Sequence, residues 1–418
     1  MAAEQREFDV VLYGATGFVG KLTAEYLARS GGDARIALAG RSVGKLRAVR
    51  DSLGDVAREW PLIEADAGQP SQLNDMAART RVVVTTVGPY TKYGLPLVAA
   101  CAAAGTDYAD LTGETMFIRQ SIDTYHEQAA DNGARIVHSC GFDSVPSDLT
   151  VYALYKQAQQ DGTGELGDTT MVVRRFAGGV SGGTLASMIE VLATSSADPD
   201  ARREMSDPYT LTTDRAAEPD LGPQSDTPWR RGREIAPELD GVWTAAFAMG
   251  APNSRIVRRS NALLDWSYGR TFRYAEAMST GSSVLAPVAS AVTTAANVAV
   301  LGLGSRYFDK VPRGLVERIL PKPGTGPSER TRERGHYTVE TYTTTTTGAR
   351  YRTTMSQQGD PGYKATAVLL GECGLTLAVD REELSDLHGV LTPAASLGDA
   401  LLHRLRRAGV TLETERLA

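Results

Sequence analysis

The sequence predicts an α/β protein, with a Rossmann-type parallel sheet in a nucleotide domain and a mixed sheet in an α+β substrate domain. Three observations lead to this prediction. Strand-type and helix-type segments alternate through the first 150 residues, a glycine-rich turn follows the first strand, and short β-type segments return in the second half. The chain has 418 residues, which is long enough for at least two domains.

Composition narrows the possible functions. A net charge of −6 argues against bulk nucleic-acid binding, and 22% charged residues beside 42% hydrophobic ones do not fit a disordered chain. The three cysteines, Cys101, Cys140 and Cys373, make neither a disulfide framework nor a metal-binding spacing, so we expect no metal site. Residues 1–8 are polar and lack the apolar segment of a secretion signal, which predicts a cytoplasmic protein.

The first strand leads into a turn that is typical of dinucleotide binding. Asp9–Tyr13 is a strand-type segment, and a GxxGxxG spacing follows it before a helical pattern. In this context Gly14 permits a tight turn, Gly17 lets a pyrophosphate approach the backbone, and Gly20 lets the helix pack closely on the strand. The free N–H groups at the start of the helix favour phosphate binding. We expect five residues of this turn to contact the cofactor: Gly14, Thr16, Gly17, Phe18 and Gly20.

The end of the second strand indicates which dinucleotide binds. Arg35–Ala39 is followed by Arg41 and Ser42, at the place where NAD-specific sites usually carry an acidic residue for the ribose 2′-hydroxyl. The planar guanidinium of Arg41 suits a 2′-phosphate, so the sequence predicts NADPH as the cofactor. Asp66 follows the third strand, at residues 60–65, where we expect a contact with the adenine edge.

Two later strands end in segments that should face the nicotinamide. Residues 81–87 form a β-branched fourth strand, which ends in three expected cofactor contacts, Val87, Gly88 and Pro89. Residues 134–139 form another strand, and residues 140–148 follow it. Because ligands of open parallel sheets bind past the carboxyl ends of the strands, both segments should lie at the reaction site.

The second half predicts the substrate domain and the domain boundaries. Residues 337–346 and 349–356 have the pattern of a β-hairpin. We therefore expect a nucleotide domain at 1–150 and an α+β substrate domain at 151–362. We expect residues 363–418, including the final strand, to return and brace the nucleotide domain.

Residues 277–305 form an apolar segment without a charged residue. Three interpretations are open: a buried helix or one that lines an acyl-chain site, a helix lying at the membrane interface, and a true membrane span. Proline, asparagine and several hydroxyl residues weaken the spanning interpretation. Basic residues flank the segment on both sides, from Arg255 to Arg273 and from Arg306 to Lys322, and these could dock an acidic carrier protein.

Several longer motifs carry a family resemblance. YGATGFVG at 13–20, TTVGPYTKYG at 85–94, DYADLTGE at 107–114, CGFDSVPSDL at 140–149 and GVLTPAASLGDALLHRL at 389–405 resemble the saccharopine dehydrogenase-like oxidoreductases. The whole chain, with PKPGTGPS and TYTTTTTGARY, is most similar to the mycobacterial trans-acting enoyl reductases of that family.

This resemblance implies an activity and its partners. It implies NADPH-dependent reduction of the C=C of an enoyl thioester, held on a polyketide synthase that lacks its own working reductase, during cell-wall lipid biosynthesis. The implied partners are an acyl carrier protein or polyketide synthase and a lipid acyl chain. We also expect peripheral contact with the inner face of the plasma membrane and a homodimer.

Enoyl reduction requires a donor for the thioester oxyanion and a proton source for the α-carbon. Tyr90, Tyr108 and Asp143, next to Ser144, lie on strand-end segments where such groups belong, and Tyr90 is the first choice. The tyrosines could instead pack in the cofactor cleft. Asp143 and Asp148 could instead cap the next helix, because Asp favours N-caps.

Other functions remain open from the sequence. Ser139, Tyr152 and Lys156 reproduce the Ser and Tyr-x-x-x-Lys spacing of short-chain dehydrogenases, in which the lysine lowers the tyrosine pKa. A saccharopine-type dehydrogenase of a free small molecule and a non-catalytic NADPH-binding scaffold are the two further alternatives. A free amino-dicarboxylate would require converging Arg and Lys side chains, whereas an acyl chain would require an apolar tunnel.

Overall fold

In the computed structural model, which describes residues 6–179, 182–308 and 326–418, the strands form two sheets. The first, sheet A, has seven parallel strands in the order β12-β6-β5-β4-β1-β2-β3. Their bounds are β1 Phe8–Tyr13, β2 Ile36–Gly40, β3 Leu62–Glu64, β4 Thr80–Thr85, β5 Asp107–Ala109, β6 Arg135–Val137 and β12 Gly389–Leu391. The parallel sheet confirms the predicted fold class.

Sheet A is covered on both faces, which explains why its strands are almost continuously apolar. All six residues of β1 are buried, and Val10 pairs with Ile36 on one side and Val82 on the other. The helices that connect its strands are α1 Phe18–Ser30, α2 Val43–Ser52, α3 Pro70–Arg79, α4 Tyr90–Tyr93, α5 Leu95–Ala104 and α6 Thr115–Asp131. The strand order reverses direction at β1, so the carboxyl ends of β1 and β4 flank the crevice where such sheets bind ligands.

Sheet B is a mixed six-stranded sheet in the order β13-β11-β10-β7-β9-β8. Among the described strands of sheet B, β7 and β9 pair in parallel and the other pairs are antiparallel. The bounds are β7 Leu166–Ala177, β8 Trp243–Ala246, β9 Arg273–Gly281, β10 His336–Thr345, β11 Arg350–Gln358 and β13 Thr411–Leu417. The β10–β11 pair is the hairpin that the sequence predicts.

The remaining helices surround sheet B and its junction with sheet A. One face of sheet B shares a core with α7, while segment 235–242 covers part of the other. These helices are α7 Val145–Gln160, α8 Gly182–Ala197, α9 Pro199–Ser206, α10 Gly232–Ile235, α11 Gly250–Leu263, α12 Ala286–Val298, α13 Gly304–Tyr307 and α14 Glu329–Arg334. Shorter helical turns are Asp55–Ala57, Arg215–Ala217, Pro237–Leu239, Ala299–Leu303, Pro361–Ala365 and Arg381–Glu383.

The C-terminal segment contributes to both sheets. Helix α15, Thr366–Val379, packs beside α1, and β12 extends sheet A next to β6. Helix α16, Pro393–Arg407, lies against α15 and α7. The final strand differs from the expectation, because β13 pairs with β11 and completes the edge of sheet B instead of bracing the nucleotide domain.

The apolar segment 277–305 differs from the expectation of a buried helix. Residues 277–281 end β9, and α12 then lies on the outside of the molecule with Val288 61% exposed and Val292 62% exposed. The segment is therefore not a buried helix. No helix in the described part of the chain is long and apolar enough to cross a membrane. The basic residues at 310, 313, 318 and 322 lie outside the described residues.

A buried carboxylate fastens the C-terminal helices to the nucleotide domain. Glu372, on α15, accepts hydrogen bonds from the hydroxyl of Tyr26 on α1 and from the guanidinium of Arg404 on α16, at 2.6 Å in the second case. Arg404 also pairs with Asp380 at 2.9 Å. The carboxylate of Glu372 is 5% exposed, so its charge depends on these two donors.

We expect Arg404→Met to lower the free energy of unfolding by about 3 kcal/mol, because it leaves the buried charge of Glu372 without its cation. Chemical denaturation measures this change. Arg407→Met is the matched control, since Arg407 lies on the exposed side of the same helix, and it should change stability by less than about 0.5 kcal/mol. Equal effects of the two substitutions would contradict the assignment.

Candidate dinucleotide-binding and reduction site

The turn after β1 is built around the close approach of helix α1. Gly14 has a φ of +88°, and a Cβ atom there would lie 2.8 Å from Thr86 Oγ1 and Val87 Cγ2. A Cβ on Gly20 would lie 2.2 Å from the Gly14 carbonyl oxygen. At Gly14 the left-handed φ and the two neighbouring side chains favour glycine, and at Gly20 any Cβ would displace backbone. The spacing of the glycines therefore reflects the packing of α1 directly on the turn.

This packing leaves the start of α1 open to a ligand. Gly17 is the N-cap residue and provides no side-chain cap. The first N–H groups of a helix lack intrahelical partners, so they are available for phosphate oxygens. Phe18 closes the side of the turn, because its ring packs edge-on against Tyr363 at 4.8 Å and beneath the guanidinium of Arg332 at 5.2 Å.

The ends of β2 and β3 provide polar groups beside the same turn. Arg41 is exposed, and Ser42 caps α2 by accepting the N–H of Lys45 at 3.5 Å. Asp66 accepts the N–H of Gly68 at 2.8 Å, which leaves its other carboxylate oxygen available. Burial and the charge of Asp66 raise the pKa of Tyr13 to about 12, while Arg41 opposes this shift. The guanidinium and the carboxylate are thus both close to the end of β1.

Glu114 holds the segment after β4 in place. Its buried carboxylate accepts the backbone N–H groups of Tyr90 at 2.9 Å and Thr91 at 2.7 Å, and also the Thr91 hydroxyl. These contacts fix the start of α4 and therefore the position of Val87, Gly88 and Pro89 next to Gly14. Lys92, on the same short helix, pairs with Glu190 on α8 at 2.9 Å and links the nucleotide domain to the substrate domain.

The hydroxyl of Tyr90 is engaged inside the protein. It donates to the Thr85 carbonyl at 3.3 Å and accepts the Leu111 N–H at 3.2 Å. Burial and the neighbouring Asp110 raise its pKa well above the ordinary value. In this geometry Tyr90 orders the ends of β4 and β5. Its predicted role as oxyanion donor or proton source would require these contacts to break.

Tyr108 lies in the core rather than at the substrate cleft. Its side chain is fully buried, and its hydroxyl donates to Asp110 at 2.9 Å. Asp110 also contacts His138 Nδ1 at 2.7 Å, and His138 Nε2 contacts Ser121 at 2.9 Å. These contacts close a satisfied polar network beneath the strand ends. We therefore remove Tyr108 from the catalytic candidates, because it has no path to a substrate there.

Asp143 is placed differently. It is partly exposed at the carboxyl end of β6, and no hydrogen bond to its carboxyl is found among the described residues. Desolvation by the surrounding protein raises its pKa to about 6. It does not cap α7, whose N-cap residue is Ser144, and Asp148 binds the Ala394 N–H at 2.7 Å instead. The interpretation that these residues cap α7 is therefore wrong, and Asp148 binds an N–H in the first turn of α16.

Aromatic rings form the wall beside Asp143. Phe142 packs against Tyr337 at 4.7 Å and Phe176 at 5.7 Å, which lie at the ends of β10 and β7. The Phe142 N–H donates to Thr366 Oγ1 at 3.0 Å, at the start of α15. The segment that carries Asp143 is thus held between both sheets, in a largely apolar junction.

A buried polar chain behind this segment could not be identified from the sequence. Ser144 Oγ donates to Asn253 at 3.0 Å, and Asn253 donates to Glu276 on β9 at 3.0 Å. Tyr274 donates to the other oxygen of Glu276 at 2.8 Å, and burial raises the pKa of Glu276 to about 7. The one sequence signal for this set of hydrogen bonds is the carboxylate of Glu276 among the apolar residues of the β-type segment YAEAM.

The structure does not assemble the short-chain dehydrogenase arrangement. Lys156 pairs with Asp399 at 2.9 Å on the α16 side of α7, and Tyr152 packs there against Gly398. Ser139 donates to the Thr112 carbonyl at 2.7 Å. The tyrosine and lysine therefore face away from the strand ends, and that interpretation is wrong.

The fold and the turn together define a class of protein. An open parallel sheet, an uncapped α1 seated on Gly14 and an exposed Arg41 at the end of β2 fit a dinucleotide with a 2′-phosphate. The nucleotide domain therefore identifies the chain as an NADPH-dependent oxidoreductase. Residues 10–137 match the family model of the saccharopine dehydrogenase NADP binding domain.

Comparison with curated proteins identifies the family more closely. The chain is 64% identical over 419 residues to a trans-acting enoyl reductase of Mycobacterium bovis, and 62% identical over 418 residues to one of Mycobacterium ulcerans. A Mycobacterium tuberculosis protein, assigned the same activity provisionally, is 71% identical over 418 residues. Each match covers 100% of both chains. The chain belongs to the trans-acting enoyl reductases of the saccharopine dehydrogenase-like family.

A solved structure supports the fold. Saccharopine dehydrogenase (L-Glu forming) from Saccharomyces cerevisiae matches with a TM-score of 0.55 and covers 98% of this chain and 99% of its own. The sequence identity is 14%, so this similarity concerns the fold alone.

We expect Arg41→Ala to weaken NADPH binding by ten-fold or more, on the order of 1.4 kcal/mol, while NADH binding changes little. The reason is that the guanidinium would pair with the 2′-phosphate, which only NADPH carries. Fluorescence titration with both nucleotides measures the two affinities. Arg47→Ala, at an exposed position on α2, is the matched control and should leave both unchanged. Equal losses for NADPH and NADH with Arg41→Ala would contradict the assignment.

We expect Glu276→Gln to change how stability depends on pH. Because the pKa of Glu276 is about 7 in the folded protein and about 4.3 when unfolded, the folded state binds more protons between these values. Acidification from pH 8 to pH 5.5 should therefore stabilise the wild type relative to the variant by about 2 kcal/mol. Denaturation at the two pH values measures the difference, and a pH-independent difference would refute the proposed burial of the charge.

Proposed function

We propose that this protein reduces the C=C of an enoyl thioester carried by a polyketide synthase that lacks a working reductase, acting in trans during cell-wall lipid biosynthesis. The observation that carries the proposal is the full-length identity to trans-acting enoyl reductases. The placement of Asp143 supports it, since this carboxyl, which has no hydrogen bond to any described residue, stands at the strand end that faces the expected nicotinamide position.

Two chemical tasks must be met at this site. NADPH supplies the hydride that adds to the β-carbon, and the protein supplies a proton to the α-carbon. Asp143 suits the role of proton donor because of its position and because its pKa of about 6 keeps a fraction of the carboxyl protonated near neutral pH. The backbone after β4 would form the side of the cleft opposite Asp143. Glu114 holds this backbone in place through its hydrogen bonds.

The cleft wall favours an acyl thioester over a free amino-dicarboxylate. Phe176, which is 38% exposed, packs on the buried rings of Phe142 and Tyr337, so the wall next to Asp143 is aromatic. The buried arginines Arg255 and Arg258 share one carboxylate, that of Asp226, at 2.5 Å and 2.8 Å. Arg175 is exposed beside Phe176 and makes no ion pair with any described residue. A saccharopine-type substrate would require such cations, so that function is the second candidate.

The proposal includes partners and a location. An acyl carrier protein would present the lipid chain on its pantetheine arm, which must reach the strand ends between the two sheets. An enzyme that acts on the precursors of cell-wall lipids would lie in the cytoplasm, in contact with the inner face of the plasma membrane. We also propose a homodimer, which the mass in solution tests.

We expect Asp143→Asn to lower kcat with an enoyl-pantetheine thioester by about 10²- to 10⁴-fold, with little effect on NADPH affinity. NADPH oxidation measured by absorbance gives the rate. In the wild type, kcat/KM should fall as pH rises above about 6, because a general acid acts only while protonated. The variant should lose this dependence.

The discriminating comparison is Tyr90→Phe, which keeps the ring and removes the hydroxyl. It should change kcat less than Asp143→Asn does. A larger loss with Tyr90→Phe would transfer the proton donor to that residue. Oxidation of NADPH with saccharopine-type substrates, and none with the enoyl thioester, would favour the second candidate. Turnover with neither would favour a non-catalytic scaffold.

A further inference from the structure

Helix α12 has the opposite polarity to an ordinary surface helix. Its polar side chains face the protein. Ser290 donates to the Thr244 carbonyl at 2.5 Å, and Asn297 donates to the Ala246 carbonyl at 2.7 Å. Thr294 accepts the Ala246 N–H at 3.2 Å. The edge strand β8 therefore binds the hydrogen-bonding side of the helix, and the apolar side points away from the protein.

The outward side is a surface of aliphatic residues. We call it the α12 surface, and its members are Val284, Leu285, Val288, Val292 and Val298, which are between 61% and 94% exposed. Val300 and Leu303 continue it at 52% and 57%. No charged residue interrupts the chain from 277 to 305. Clusters of exposed apolar side chains are uncommon on proteins that work alone in water, so this surface is adapted to an apolar partner.

An aromatic and basic rim lies beside this surface. Trp229 is 58% exposed, and its Nε1 donates to Ser290 on α12 at 2.8 Å. Arg230 and Arg233 follow it in the sequence, are exposed, and make no ion pair with any described residue. Arg231 is also exposed and stacks over Trp243 at 4.9 Å.

We propose that the α12 surface and the Trp229–Arg233 rim bind the surface of an anionic lipid bilayer. The aliphatic side chains enter the boundary between headgroups and acyl chains, the indole sits at headgroup level, and the arginines pair with lipid phosphates. This inference deepens the proposed function, because it assigns the membrane contact to particular residues. The biological role of the contact rests on the proposed function, whereas the binding itself does not.

Two features favour a bilayer over a protein partner. The outward side of α12 has valine and leucine as its large side chains, whereas protein interfaces depend on buried Trp, Tyr and Arg anchors. The second feature is the positive charge of Arg230 and Arg233, which are exposed beside the apolar surface and make no ion pair with any described residue. Because the net charge of the chain is −6 and an anionic membrane repels the rest of the molecule, these arginines would orient it.

The test is cosedimentation of the full-length protein with vesicles of phosphatidylcholine alone, or of equal parts phosphatidylcholine and phosphatidylglycerol. We expect wild type to bind the anionic vesicles and Val288→Asp/Val292→Asp to bind them at least ten-fold more weakly. Val56→Asp is the matched control, because Val56 is 61% exposed on the nucleotide domain, and it should bind as wild type does. Unchanged NADPH affinity shows that each variant is folded.

A second pair of substitutions separates the electrostatic part. Arg230→Glu/Arg233→Glu should weaken binding to anionic vesicles at least five-fold, and added salt should weaken wild-type binding in the same direction. Lack of wild-type binding to anionic vesicles would overturn the proposal, even if enoyl reduction is confirmed. Equal losses with Val56→Asp would also overturn it. So would a wild-type dimer that Val288→Asp/Val292→Asp converts to a monomer, since the surface would then join two chains.

Discussion

The contact between Gly20 and the Gly14 carbonyl determines where the chemistry can occur. With 2.2 Å separating that oxygen from any Cβ at position 20, α1 starts directly on the turn after β1. Its uncapped N–H groups therefore point past the carboxyl end of sheet A. With a pyrophosphate bound there, the adenosine half of NADPH would extend toward β2 and β3, and the nicotinamide half toward β4 and β6. The segments at 87–89 and 140–144 are our proposed reaction site for this reason.

Buried carboxylates stabilise these strand-end segments, and their bonding explains why one carboxyl differs. Asp110 is hydrogen-bonded by Tyr108 and contacts His138, Glu114 is bonded by the start of α4, and Asp148 is bonded by Ser260 and the Ala394 N–H. Each of these carboxyl groups has fixed hydrogen-bond partners and serves the fold. The carboxyl of Asp143 has no such donor among the described residues, and its pKa is raised by desolvation alone. A group that the fold does not use is available to a substrate.

Local patterns were sufficient for the nucleotide domain but not for the rest. The glycine turn, Arg41 and the alternation of strands and helices depend on neighbours in sequence, so the sequence predicted them. The orientation of Tyr90 and Tyr108 depends on contacts between β4, β5 and α6, which no spacing reveals. Glu276 joins Ser144 through Asn253 on a third element. The apolar segment was ambiguous because its polar residues, Ser290 and Asn297, face the protein instead of water.

A crystal structure of the protein with NADPH and a non-reducible acyl-pantetheine thioester would show whether the turn directs the cofactor as described. We predict the pyrophosphate at the N-terminus of α1, the 2′-phosphate at Arg41, and the nicotinamide C4 between Pro89 and Asp143. The acyl α-carbon should lie within proton-transfer distance of the Asp143 carboxyl. A nicotinamide directed away from the end of β6, or an acyl chain that does not approach Asp143, would contradict the account.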